Sequence, residues 1–174
     1  MNGQVLLFLR KIGPQAGMKL IEIGSMDVNG SPRETFKAAE EYVGIDFRPG
    51  RGVDKVMNAE QVHENFPAGY FDTVLCCETL EHCENWKEVV RSMWAILKTN
   101  GKCVITTPTR KKGRHNYPND YWRWELDDYK KMFAAQNIIR CEPVGTAGIG
   151  VIVEKVSDEL DLEVTPHQIP PPKK

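Results

Sequence analysis

Lys19-Leu-Ile-Glu22-Ile-Gly24-Ser25-Met-Asp27-Val-Asn29-Gly30-Ser31-Pro32-Arg-Glu34 passes from an apolar run through two glycines to a helix-start signal, and this order decides the fold. Leu20, Ile21 and Ile23 form a short apolar run bounded by turn residues, as a strand buried in a parallel sheet requires. Ser31 can cap a helix over 31–40, Pro32 suits its first position, and Glu34 can complete a capping box. A strand, a tight loop and a capped helix follow in order. Any βα unit needs a turn and a cap, so the junction alone specifies no ligand. The next segment adds information: Glu41-Tyr-Val-Gly-Ile-Asp46 is a second apolar strand ending on an acid, roughly 20 residues after the glycine turn, where ribose hydroxyls can be held.

Two cofactors compete for that geometry. A nicotinamide dinucleotide lays a pyrophosphate on a G-x-G-x-x-G loop, whereas this loop offers only Gly24 and Gly30, and Glu22 brings a negative charge toward the phosphates. S-adenosylmethionine carries no phosphate and has a cationic amino group, so a carboxylate there helps through its charge or through ordered water. The charges favour S-adenosylmethionine.

Working outward, strands are predicted near 18–24, 41–46, 53–57, 71–77 and 102–107, alternating with helices near 31–40, 59–65, 84–98 and 125–136. This alternation argues for an α/β fold, a mostly parallel sheet covered on both faces. Trp86, Val89, Val90, Met93, Trp94 and Leu97 recur at helical spacing and read as core, with Asn100-Gly101 closing that helix through a left-handed cap. Residues 1–17 are predicted to form a short amphipathic helix at the sheet edge, and 18–156 the main domain. Residues 157–174, acidic and then proline-rich, are predicted to be an extended tail, alternatively a partner-binding segment.

Composition fits one domain: 174 residues, 41% apolar content and net charge −1. No apolar run is long enough to span a bilayer, and Val5 to Leu9 is followed by Arg10-Lys11 without a small-residue cleavage site, so no secretory signal is expected. Five cysteines without a C-x-x-C pair suit a reducing cytoplasm.

Glu22-Ile-Gly24-Ser25, Gly44-Ile-Asp46, Asn58-Ala59-Glu60, Phe71-Asp72-Thr-Val-Leu-Cys-Cys-Glu78-Thr-Leu-Glu81-His82 and Leu97-Lys-Thr-Asn-Gly101-Lys-Cys-Val-Ile-Thr-Thr-Pro108 together resemble the successive motifs of class I S-adenosylmethionine-dependent methyltransferases, most closely the small type-11-like members. The resemblance runs from about Met18 to Phe133. It implies a Rossmann-like doubly wound sheet closed by a C-terminal antiparallel pair over Ile138 to Val144 and Ile149 to Val156. The family's usual E-x-G-x-G-x-G loop is altered here, with Met26 and Val28 in place of its second and third glycines. The resemblance places Glu22, Gly24, Ser25 and Glu78 at the methionine end of the cofactor, Asp46 at the ribose, and Asn58 and Ala59 at the adenine. Phe47 could cover the adenine face or pack under the following loop.

Methyl transfer is an in-line displacement at a sulfonium, for which the protein supplies alignment and, for a hydroxyl nucleophile, a base. The candidate catalytic residues lie in two places. His82 follows the fourth strand. His115 and Asp120 lie in Arg110-Lys-Lys-Gly-Arg114-His115-Asn-Tyr117-Pro-Asn-Asp120-Tyr121-Trp122-Arg123-Trp124, a segment resembling the run that closes over the substrate in type-11-like relatives, with Tyr117 and Trp122 shaping the acceptor site. Alternatively Tyr121, Trp122 and Trp124 simply pack this segment onto the sheet. We expect no metal ligand. The alternative rests on Glu78, Glu81, His82 and His115, which are similar to an E-x-x-E-H pattern that holds a divalent ion in some small-RNA 2′-hydroxyl and ubiquinone-pathway methyltransferases.

A net charge of −1 lacks the basic excess of a dedicated nucleic-acid binder, so a small-molecule acceptor is favoured and no membrane partner is expected. The sequence leaves oligomeric state unassigned. A non-catalytic adaptor that retains the cofactor fold is the alternative from another class.

Overall fold

The apolar run beginning at Leu20 becomes a central strand because both of its faces are buried. The computed structural model of the chain describes residues 3–13, 17–115 and 119–170. It begins with α1 (Gly3–Leu9), then β1 (Lys19–Ile23), β2 (Glu41–Asp46), β3 (Lys55–Val56), α2 (Val62–Asn65), β4 (Phe71–Cys77), α3 (Trp86–Ile96) and β5 (Leu97–Pro108). There follow β6 (Trp122–Arg123), α4 (Leu126–Met132), β7 (Asn137–Val144), β8 (Gly148–Glu154) and β9 (His167–Gln168). The main sheet runs β3-β2-β1-β4-β5-β8-β7, with β5–β8 and β8–β7 antiparallel and the other pairs parallel. The doubly wound sheet with its closing antiparallel pair is therefore as expected.

Successive side chains serve opposite cores, as the two-residue period of a strand dictates. Ile21, Ile23, Val74, Cys76, Cys103, Ile105, Val151 and Val153 meet α3, α4 and α2. Leu20, Leu75, Val104 and Ile152 meet α1 and the turn that follows it. The stripe on α3 is core, as its spacing predicts, and Trp94 anchors the far end by donating from Nε1 to the Ser157 carbonyl at 3.0 Å.

The structure corrects several expectations. The helix predicted over 31–40 is only a 3-10 turn, Arg33–Phe36, in which Ser31 Oγ accepts from the Arg33 amide at 3.2 Å and no capping box forms. The chain up to Gly30 is used by the preceding loop, where Asp27 Oδ1 accepts from the Gly30 amide, and β2 starts at Glu41, leaving no length for a full helix. Helix α3 ends at Ile96, before Asn100-Gly101. Asn100 is left-handed (φ 64°) but lies within β5, at the step where its register against β4 shifts. The last carbonyls of α3 are satisfied instead by the buried Lys155 ammonium, which donates to Trp94 and Leu97 at 2.8 and 3.2 Å.

Of the two terminal segments, the C-terminal one lies elsewhere than expected. Helix α1 packs on one face of the sheet at its β8–β7 side: Val5, Phe8 and Leu9 are buried, and a Cβ on Gly150 of β8 would come within 2.6 Å of the Phe8 ring. Residues 1–2 and 14–16 of the expected N-terminal segment lie outside the described residues. The segment after Ser157 is not an extended tail as far as residue 170. Leu162 and Val164 are buried in the main core, and β9 pairs with β6. Residues 171–174 lie outside the described residues. No helix among the described residues is long and apolar enough to cross a membrane.

The acid at the middle of β1 is the most costly residue of the sheet. Glu22 is 3% exposed, accepts from the Tyr42 hydroxyl at 2.5 Å, and lies on the α1 side of the sheet. Burial raises its carboxyl from 4.5 to about 7, against the opposing pull of the Tyr42 hydrogen bond and Arg33. Between these values only the folded chain holds the proton, so this contribution to stability is full below the unfolded value and is lost as pH rises through about 7. Glu22→Gln, which mimics the protonated acid, should raise Tm at pH 8 by about 3–6 °C, the equivalent of about 1–2 kcal/mol, and leave Tm at pH 5 nearly unchanged. Thermal unfolding at both pH values checks this, and an equal shift at both would contradict it.

Candidate functional site

The carboxyl ends of β1, β2 and β4 converge on one cavity because the loops that leave them approach each other without side chains in the way. The Ile45 carbonyl accepts from both the Gly24 and Ser25 amides at 2.9 Å. Gly24 is left-handed (φ 78°), and a Cβ there would lie 2.1 Å from Thr79 Oγ1. Gly44 in β2 has the same need, since a Cβ would lie 2.4 Å from the Gly52 carbonyl and 2.7 Å from Ser25 Oγ. Gly24 thus lets the loop after β4 approach the loop after β1, and Gly44 lets the loops after β1 and β2 lock together, with the Asp27 amide donating to Arg51 at 2.8 Å and Asp27 paired with the Arg51 guanidinium.

The resulting cavity measures about 400 Å³, within the range of small-molecule sites. One side is lined by Gly24, Met26, Asp46, Phe47, Arg48, Met57, Asn58, Ala59, Glu78 and Thr79, the other by His82, Cys83, Glu84, Asn119 and Tyr121. Asp46 stands at the end of β2, its Oδ2 accepting from Met26 at 3.3 Å and its Oδ1 from Arg48 at 3.2 Å. These bonds fix the carboxylate while leaving it further acceptor capacity. Phe47 is 55% exposed at the cavity wall, with the Arg48 guanidinium 4.7 Å from its ring centre, and so is not packed under the next loop. Asn58 caps the turn at 59–61 by accepting from the Glu60 amide at 3.0 Å, which commits part of its amide oxygen.

Of the expected cofactor residues, Gly24, Asp46, Phe47, Asn58, Ala59 and Glu78 line this cavity, and Glu22 and Ser25 do not. The correction follows from strand alternation. Glu22 shares the face of Leu20, away from Ile21 and Ile23, and Ser25 is buried between the loops beside Gly44. Glu78 is a non-glycine residue with φ 52°, a conformation that stores about 1 kcal/mol or more and is typical of functional sites. Burial raises its carboxyl above the ordinary value, with Lys112 opposing.

The expected catalytic residues separate into two tiers. His82 lines the cavity, and its Nδ1 meets the Asn119 carbonyl. His115 stands behind it with ring centres 5.0 Å apart. Burial holds both imidazoles below their ordinary value, so the neutral form prevails at neutral pH. Asp120 is not an acceptor-site group. It is buried, pairs with Arg123 through both oxygens at 2.5 and 2.6 Å, and accepts from the His115 amide at 2.8 Å. Burial alone would raise its carboxyl, and the Arg123 guanidinium with the His115 amide holds it below the ordinary range.

Beneath the imidazoles lies Glu81, fully buried, with neither carboxylate oxygen hydrogen-bonded. Its Oε1 is 3.7 Å from Nε2 of both His82 and His115, and one donor atom from each residue falls within 4.8 Å of the others. Glu78, the fourth member of the alternative ligand set, is not part of this group. Trp122 donates to the Cys83 carbonyl at 2.9 Å, and Trp124 stacks on Tyr129 at 5.4 Å within the core. Tyr121 alone of the three aromatics lines the cavity. Tyr117 lies outside the described residues. Sequence reasoning missed Arg123, Asn119, Cys83 and Thr79. Only Arg123 carried a usable signal, a cation three residues after an acid.

Residues 2–140 match the protein family described as a methyltransferase domain. Among solved structures, the chain is similar to a SAM-dependent methyltransferase from Mesorhizobium loti, with 14% identity, TM-score 0.63, and 88% of this chain and 99% of that one covered. A SAM-dependent methyltransferase from Aquifex aeolicus gives 14% identity and TM-score 0.58 over 84% of this chain and 87% of that one. The 1,6-didemethyltoxoflavin-N1-methyltransferase from Burkholderia thailandensis gives 12% identity and TM-score 0.62 over 88% and 76%. With residues 2–140 matched by the family and the fold shared with these structures, the chain belongs to the methyltransferase domain family.

Proposed function

We propose that the chain transfers the methyl group of S-adenosylmethionine to a hydroxyl or amine of a small molecule, with His82 as the base. The observation that supports this reading most is that the Asp46 carboxylate and the His82 imidazole line the same cavity. In this reading Asp46 accepts from the ribose hydroxyls, Phe47 and the Asn58-Ala59 segment flank the adenine, and Gly24, Thr79 and Glu78 border the methionine end. When bound, S-adenosylmethionine would supply an activated methyl group to a nucleophile in line with its C–S bond, and His82 would take the nucleophile's proton. Alignment supplies most of the acceleration because the leaving group is already cationic, and a positioned base adds about 10²–10⁴-fold for a hydroxyl. Among the described residues that line the cavity Arg48 is the one cation, beside Asn119, Tyr121, Cys83 and Glu84, which supports an acceptor without phosphates.

A second reading is favoured by one specific observation, the buried Glu81 carboxylate without hydrogen bonds, whose Oε1 lies 3.7 Å from two Nε2 atoms. A buried carboxylate without hydrogen bonds is costly, and two imidazoles with one carboxylate make a donor set that suits a first-row divalent ion. The residues fit: Glu81, His82 and His115 would hold it. Such an ion would act as a Lewis acid that lowers the pKa of an acceptor hydroxyl. The same site would then also suit a ribose 2′-hydroxyl of RNA, so labelled-methyl screens should include RNA beside metabolite pools.

Calorimetry tests the cofactor assignment. Asp46→Ala should weaken S-adenosylmethionine binding at least tenfold, as the loss of hydrogen bonds to a charged group predicts, and wild-type affinity in that variant would refute it. His82→Gln should leave cofactor affinity within about twofold while lowering turnover by about 10²-fold or more. For the ion, metal-free protein given Mn²⁺ or Zn²⁺ at about 100 times the dissociation constant should gain roughly 5–10 °C in Tm. Glu81→Gln should abolish that gain, and full activity after exhaustive chelation would exclude the second reading.

A further inference from the structure

We infer that Arg123 is a positioning residue that sets both imidazoles from behind, and that Asp120 acts through it rather than on the substrate. The inference rests on the reading of His82 as the group that faces the acceptor. Arg123 is completely buried, and its guanidinium uses its donors on one folded-back segment. Nη1 and Nη2 reach the two Asp120 oxygens, Nη2 also donates to the Gly113 carbonyl at 2.8 Å, Nε to Lys112 at 3.1 Å, and Nη1 to Trp122 at 2.8 Å. One side chain therefore ties residues 112–113 to residues 120–123.

Each histidine is attached to this knot by one hydrogen bond. His115 is held by its backbone amide, which donates to Asp120 Oδ2, and its ring Nδ1 lies 3.5 Å from the same oxygen without a hydrogen bond. His82 is held by its Nδ1 against the carbonyl of Asn119, the residue before Asp120. A carbonyl can only accept, so His82 Nδ1 carries the proton and Nε2 presents its lone pair. The next residue closes the loop, since the Tyr121 amide donates to the Glu81 carbonyl at 2.9 Å. Rotating the Asp120–Arg123 pair would move the Asn119 carbonyl and the His115 amide together.

The energetic argument agrees with a geometric role. A buried ion pair contributes little net stability compared with apolar residues of the same volume, whereas a bidentate guanidinium–carboxylate fork fixes orientation in a way that an ammonium does not. Core packing at this position would need no guanidinium. What the pair supplies is direction.

The test uses Arg123→Lys, which keeps the charge and loses the fork, and Asp120→Asn, which keeps the shape and loses the charge. Three readouts apply: S-adenosylmethionine affinity by calorimetry, kcat and KM with the acceptor returned by the labelled-methyl screen, and the ¹³Cε1 NMR signals of His82 and His115. Arg123→Lys should leave cofactor affinity within twofold of wild type, lower kcat at least tenfold and displace both imidazole signals, with Asp120→Asn showing the same pattern. Unmoved imidazole signals, or a fall in kcat matched by an equal fall in cofactor affinity, would overturn the inference. If Arg123→Lys does not fold, Asp120→Asn decides by the same readouts. Wild-type protein that binds no S-adenosylmethionine would instead sink the proposed function, and the imidazole signals, which need neither cofactor nor acceptor, would still judge the role of Arg123.

Discussion

The Ile45 carbonyl, accepting from two successive amides of the loop that leaves β1, is the contact from which the cofactor side of the molecule is built. It is accommodated because Gly44 and Gly52 lack side chains where the two loops meet, and Gly24 lacks one where its loop meets Thr79 after β4. Once it forms, the end of β2 is fixed beside the end of β1, and Asp46 is bound by the Met26 and Arg48 amides on either side of the junction. The loop after β2 then returns along the loop after β1, closed by the Arg33–Asp54 and Asp27–Arg51 pairs. The cavity is the space that these backbones leave, so its shape depends on backbone contacts more than on the side chains that line it.

The opposite wall follows another rule. Among the described residues, 112–115 and 119–121 form no helix or strand before β6, and their backbone polar groups need partners. Arg123 supplies them for Lys112, Gly113 and Trp122 from inside, and the C-terminal segment supplies them from outside. The Ile169 amide donates to Tyr121 at 2.6 Å, and Arg114 donates to Pro170 at 2.7 Å. A segment that composition marks as a solvent-exposed tail is thus a strap over the acceptor side.

Strands β2 and β4 were legible in the sequence to the residue, because a strand buried on both faces must be an unbroken apolar run and its ends are marked by turn residues. The helix after β1 was not legible, since Ser31, Pro32 and Glu34 are a sound start signal whose helix was denied length by the loop before it and the strand after it. Asn100 was read correctly as left-handed but at the wrong structure, because the sheet claims Leu97 and a lysine 55 residues beyond it caps the helix. That Gly24, Asp46, Asn58 and Glu78 gather at one cavity was legible because they lie at or beside strand ends. The place of Asp120 was not, because its pairing with Arg123 belongs to a tertiary knot, and spacing alone could not tell a cavity-facing acid from a buried one.

The electrostatic logic survives this correction with different residues. Glu22 cannot attract a cationic donor, being protonated for half the molecules near pH 7 and buried on the far side of the sheet. Among the described residues, the acids that line the cavity are Asp46, Glu60, Glu78 and Glu84, against a single guanidinium, Arg48. A wall of that composition repels a pyrophosphate and attracts a sulfonium and an ammonium, and in a partly enclosed cavity these interactions are less screened than in water. Neutral S-adenosylhomocysteine has lost the sulfonium charge, so the same wall holds the product less tightly than the donor. The field that selects the donor therefore also favours release once the methyl group has gone.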